Sequence, residues 1–127
     1  MEIERLVTRY CEAWFHPDPA ERRRLLSEVF EPDGFYVDPS VRIEGLEKLL
    51  VHIEKVIADR PGFALERTGL VDEHHGFLRF GWRRLGAGGF RGPECIDVCQ
   101  LSAAGRLTLV IGFFGPMKAL PGEATSR

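Results

Sequence analysis

Apolar residues recur at Ile3, Leu6, Val7, Tyr10, Ala13 and Trp14, the spacing of one helical face, and predict an α-helix over residues 2 to 15. A second helix opens at DPAE, residues 18 to 21. Asp18 can cap it, Pro19 suits the first helical position, and Glu21 completes a capping-box-like pattern. Its buried stripe reads Leu25, Leu26, Val29 and Phe30, with Arg22 to Arg24 as an exposed basic run and EPDG as the stop. FYVDP, residues 35 to 39, follows as a short strand, because Phe35, Tyr36 and Val37 favour extended backbone and Pro39 cannot donate to a ladder. Leu46, Leu49, Leu50, Ile53, Val56 and Ile57 mark a third amphipathic helix, ended by Pro61 and Gly62. From Phe63 the character changes. FALERTGLVDE, FLRFGWRRL, ECIDVCQL and RLTLVIGFFG read as strands, separated by turns at EHHG, GAGG and SAAG.

Three helices around one early strand, then four longer strands, make an α+β plan with helices on one face of the sheet. Alternation puts Leu78, Phe80 and Trp82 on one face of their strand, opposite Arg79 and Arg83, where they are expected to line a cavity closed by Trp14 and Phe114. On the last strand Leu107, Leu109, Ile111 and Phe113 point one way, and Val110 and Phe114 the other. A strand apolar on both faces is covered on both. Helices can cover one, so a second copy is expected on the other, as a homodimer through the outer sheet face.

Composition narrows the class. At 127 residues the chain fits one domain, placed at 1–120, with a frayed tail at 121–127. With 44% hydrophobic and 28% charged residues it reads as globular, and a net charge of −2 offers no basic field for nucleic acid. No apolar run is long enough to span a membrane, and MEIERLVTRY reads as a charged helix, so a cytoplasmic location without a membrane partner is expected. Cys95 and Cys99 lie roughly 13 Å apart along one strand, too far for a disulfide. With Cys11 they read as small buried hydrophobes, and no metal or cofactor set is expected.

Asp38, at the last ordinary position of the early strand, has two readings: Asp-Pro opens turns, and an acid at a strand end can also serve a pocket as a proton-transfer group. Asp97 interrupts ECIDVCQL on the face it shares with Cys95 and Cys99, where a lone carboxylate is costly and must be paired or neutral. It is read either as a functional acid or as a buried hydrogen-bond anchor. Tyr10, on the inner stripe of the first helix, is either a core aromatic or a third member of the site. His52 borders the third helix's apolar stripe and reads as structural. His74 and His75 fall in an exposed turn, where with Asp72 they make only a weak metal set. In an apolar pocket Asp38 is expected to have a raised pKa, and its neighbour Asp97 to be repelled, leaving at least one of the two neutral near neutral pH.

RYCEAW, the PDP turn, FEPDGFYVDP, IEGLEKL and the final IDV…GRL…VIGFFGP resemble the SnoaL-like branch of the nuclear transport factor 2-like superfamily, over roughly residues 5 to 116. The resemblance implies a cone: a curved, mixed or antiparallel sheet wrapped by three N-terminal helices around a pocket, and often a dimer through the outer sheet. Within the superfamily, ketosteroid isomerase is similar in its helix-one RY tyrosine, its strand-ending Asp-Pro and its late Ile-Asp, which match Tyr10, Asp38 and Asp97. That enzyme is a standard example of a protonated Asp donating beside a Tyr. The likeness implies a small-molecule pocket protein, as a cofactor-independent isomerase or a polyketide cyclase, with those three residues catalytic. It implies a pocket of Trp14, Tyr36, His52, Leu78, Phe80, Trp82, Val110, Gly112 and Phe114, receiving a small apolar or polycyclic ligand. A non-catalytic ligand-binding or dimerisation module of the same fold is the alternative.

Overall fold

The computed structural model describes residues 1–122, so most of the expected frayed tail lies outside the described residues. Helix α1, Ile3–Trp14, is capped by the Glu2 carboxylate, which accepts from the amides of Glu4 and Arg5, and it buries Leu6, Val7, Tyr10, Cys11, Ala13 and Trp14. Helix α2, Pro19–Val29, starts where the sequence placed it, with the Asp18 carboxylate accepting from Ala20 N–H. The expected exposed run is broken at its first member, because Arg22 is buried. Its guanidinium donates from Nε and Nη2 to the His16 carbonyl, at 3.2 and 2.8 Å, which compensates a cation withdrawn from water.

The chain leaves α2 directly into β1, Phe30–Asp38, so Phe30 belongs to a strand and EPDG is not a stop. Instead EPDG is a bulge. Between Phe30 and Phe35 the pairing with the last strand slips, from Leu107 to Leu109. Gly34 makes the bulge feasible, since a Cβ there would lie 2.8 Å from the Phe30 ring. After a two-residue turn, β2, Val41–Glu44, folds back antiparallel on β1 as a hairpin strand the periodicity did not reveal. Helix α3, Leu46–Asp59, then buries Leu46, Leu49, Leu50 and Ile53.

The remaining strands are β3, Ala64–Arg67; β4, Asp72–His74; β5, Phe77–Leu85; β6, Cys95–Leu101; and β7, Leu107–Phe113. FALERTGLVDE is thus two short strands rather than one, both paired with β5. The seven strands form one mixed, open sheet ordered β2-β1-β7-β6-β5-β3, with β4 beside β5 and only the β1–β7 pair parallel. Three helices and this mixed sheet make up the α+β cone expected from the sequence. Its inner face carries the fully or nearly buried Leu78, Phe80, Trp82, Cys95, Cys99 and Val110.

The outer stripe of β7 is shorter than expected. Leu101 pairs with Leu107 but Gln100 pairs with Leu109, so Thr108 is an extra residue and Leu107 turns to the core, where it is fully buried. Leu109 and Ile111 remain half-buried on the outer face, and Phe113 stands 57% exposed.

Candidate active site

Three neighbouring strands bring two carboxyl groups together. Asp97 pairs with Gly112 across β6 and β7, and Asp38 lies one residue beyond the Val37–Ile111 pair of β1 and β7. Gly112 therefore sits between the two acids. A Cβ on it would lie 3.1 Å from Asp97 Oδ1 and 3.4 Å from Asp38 Cβ, so the bare backbone is what lets the acids converge. Both face a cavity of about 130 Å³.

The cavity has an aromatic wall. Trp14 packs against Tyr36 at 5.1 Å between ring centroids and against His52 at 6.0 Å, while Trp82 and Phe114 meet edge to face at 6.2 Å. Phe15, Val56 and Leu65 extend this wall, and Ser40, Arg60 and Arg84 complete the lining. Of the residues expected in the pocket, Trp14, Tyr36, His52, Trp82 and Phe114 line it, together with Asp38 and Asp97. Leu78, Phe80, Val110 and Gly112 share the inner sheet face but lie outside the cavity lining, the first three packed into the core. Tyr10 is also elsewhere. Its ring packs edge-on to Trp14 and Phe80, its hydroxyl is buried with no hydrogen-bond partner among the described residues, and burial holds its pKa well above the ordinary tyrosine value.

Asp38 both holds the turn and lines the cavity. Oδ1 accepts from Ser40 N–H at 2.7 Å, Ser40 Oγ at 2.7 Å and Val41 N–H at 3.2 Å, which is the turn. Oδ2 accepts from the Tyr36 hydroxyl at 2.6 Å, within the cavity. Burial is the largest single influence and raises the pKa, as expected from sequence. The bonds from Ser40, Tyr36 and Val41 together outweigh it, so Asp38 titrates below the ordinary value and is ionised at neutral pH. The expected upward shift is thus corrected: the turn supplies donors that periodicity does not show.

Asp97 is the opposite case. It is 5% exposed, and one side-chain bond, from Trp82 Nε1–H to Oδ1 at 3.0 Å, is all that favours its charge. Burial, helped by the Asp38 charge, pushes its pKa up to about 7. Of the pair, Asp97 is the one that holds its proton up to near neutrality. His52 is shifted down by burial, against the pull of Asp38, and stays neutral.

Ser40 and Arg84 carry chemistry that the sequence reading overlooked. Arg84 follows Trp82 by two positions on the same face, so alternation alone could have placed it. Ser40 was implicit in the turn reading of Asp38. Among the described residues no group of three or more His, Cys, Asp or Glu side chains converges to hold a metal ion, and the Nδ1 atoms of the exposed His74 and His75 lie 3.1 Å apart in their turn.

No protein-family model matches the sequence, and no curated protein matches it. Solved structures do. A proposed isomerase of the SnoaL-like family from Agrobacterium tumefaciens is 30% identical, with a TM-score of 0.83 over 88% of this chain and 96% of that one. A proposed SnoaL-like polyketide cyclase from Jannaschia is 16% identical, with a TM-score of 0.71 over 86% of this chain and 82% of its own. A protein of ketosteroid isomerase-like fold from Catenulispora acidiphila, solved with trimethylamine, is 15% identical, with a TM-score of 0.69 over 87% of this chain and 85% of its own. The last two speak for the fold alone.

Proposed function

The chain belongs to the SnoaL-like family, and from that premise we propose that its cavity carries out acid–base chemistry on a small carbonyl compound, an isomerisation or a ring closure. Asp97 is the proton-transfer group. One observation carries this reading: a buried carboxyl, on the cavity wall with a single side-chain donor, faces an ionised carboxylate across Gly112. A group titrating near neutrality can both take and return a proton at working pH, which is the condition for efficient general acid–base catalysis. Ionised Asp97 removes a proton from the carbon beside the carbonyl, and protonated Asp97 delivers it to another carbon or to the oxygen. Asp38 holds Tyr36 in place and adds to the burial that keeps the Asp97 pKa high. These steps need proton transfers only, so the reading calls for no cofactor.

The test uses cyclic enones and ketones in deuterated buffer. Proton–deuterium exchange at the carbon beside the carbonyl, followed by NMR, should exceed buffer exchange with the native protein and fall to background in Asp97→Asn. Absence of enzyme-dependent exchange across the panel would count against catalysis. The rival, a non-catalytic binding module, has its own support: Tyr10 is off the cavity and the Tyr36 proton is committed to Asp38, so neither hydroxyl is free to stabilise an enolate.

We further propose a homodimer through the outer sheet. Val98 and Phe113 stand 38% and 57% exposed there beside Leu109 and Ile111, a patch a second copy would cover. Light scattering should give a dimer at micromolar concentration, and Phe113→Glu should give monomer. A monomeric native protein would refute it. No helix among the described residues is long and apolar enough to cross a membrane. The three free, buried thiols of Cys11, Cys95 and Cys99 support a reducing, cytoplasmic setting.

A further inference from the structure

We infer that the cavity selects a small carboxylate-bearing ligand of about one ring, with Arg84, on the cavity wall, binding the carboxylate. The inference rests on the reading of the cavity as a small-molecule site and adds the class of molecule it takes.

The inner face of β5 runs Leu78, Phe80, Trp82, Arg84. The first two are core, Trp82 walls the cavity, and the next inward position is a half-buried guanidinium in place of another apolar group. Its position is well determined. The Arg84 carbonyl accepts from Gly92 N–H at 2.8 Å, and its guanidinium carbon lies 5.1 Å from the Trp82 ring centroid and 4.8 Å from that of Phe114. Neighbouring arginines have carboxylate partners: Arg79 has Asp72, and Arg83 and Arg91 share Glu66. Arg84 makes no ion pair among the described residues. A rigidly stacked guanidinium with free N–H groups is a fork matched to a carboxylate.

Charge and size set the rest. Two cations, Arg84 and the exposed Arg60, line the same cavity as the two acids, Asp38 and Asp97. An anionic ligand is therefore oriented, its carboxylate on the Arg84 guanidinium and its uncharged end toward the acids. A cavity of about 130 Å³ is close to the roughly 150 Å³ that accepts one benzene ring. That volume favours a single ring over the polycyclic ligand expected from sequence.

The probes are benzoate and benzamide, which share shape and differ in charge, titrated into the full-length protein with Trp fluorescence and NMR shifts as readouts. Benzoate should bind at least about tenfold tighter than benzamide. Arg84→Met should abolish that preference, and Arg84→Lys, which keeps the charge without the fork, should retain part of it. Circular dichroism establishes that each variant is folded. Equal binding of the two probes, a preference that survives in folded Arg84→Met, or no saturation by benzoate at about 10 mM would each overturn the inference. The preference needs no turnover. If it holds while ketone exchange is absent, the catalytic reading fails alone; if exchange depends on Asp97 while the preference is missing, the ligand class fails alone.

Discussion

At the end of β1 the ladder stops and the chain turns, so backbone amides that would otherwise pair with a neighbouring strand are free to face a side chain. Asp38 collects two of them, plus two hydroxyls. In the middle of β6 every nearby amide is engaged in pairing with β5 or β7, and Asp97 receives one indole N–H from a side chain. The residues are the same type and stand either side of one glycine, yet one is held ionised and the other titrates near neutrality. Position along a strand, through the supply of unpaired donors, decides which acid can exchange a proton at pH 7.

The largest expected effect tests that division directly. Asp97→Asn should lower enzyme-dependent ketone exchange at least about 100-fold, and Asp38→Asn should cost less. The ranking follows because the turn donors make Asp38 a weak base. The opposite ranking in exchange rates would break the comparison.

Stability against pH comes next. Asp97 keeps its proton in the folded state up to about 7, whereas an unfolded Asp releases it near 3.8. Between those values the unfolded chain binds fewer protons, so stability falls as pH rises, by up to about 4 kcal/mol, and is level above. Asp38 has the opposite sign: its lowered pKa contributes stability above 3.8 that is lost as pH falls through the folded value. The falling component between pH 4 and 7 belongs to Asp97, whereas His52, with its lowered folded pKa, adds a rise in the same range. Urea denaturation of Asp97→Asn should therefore show the falling component removed. An unchanged slope would locate the titrating group elsewhere.

Trp82→Phe removes the lone side-chain donor to Asp97 and should raise its midpoint by about one pH unit, read by carboxyl carbon NMR. The smallest effect is expected of Ser40→Ala. It withdraws a hydroxyl from Asp38 and should move that midpoint upward, leaving Asp97 nearly unmoved because Asp38 stays ionised at pH 7.

Periodicity reveals what repeats. The three helices, their buried stripes and the inward order of β5 were legible because each is set by spacing, and Asp97 because a charge on an apolar face stands out. The β1 bulge, the β2 hairpin and the Thr108 slip were not, since each depends on pairing between distant segments. For the same reason Tyr10 was expected at the cavity. A helical stripe says which residues face inward, but not which of them the sheet covers first. Arg84 is the converse: alternation could have placed it, two positions past Trp82, but only its lack of a carboxylate partner, seen in the fold, gives it meaning.

The single parallel pair in the sheet has a consequence for synthesis. β1 finds its partner in β7, so Phe30 cannot reach Leu107 until the ribosome has released almost the whole domain. Until then the N-terminal helices and hairpin exist as an unclosed half, with Phe30, fully buried in the finished fold, left accessible. Closure of the loop between them, some 77 residues by that pairing, sets a slow, late step, and pulse-labelling of nascent chains should find protection of β1 arriving together with β7 rather than before it.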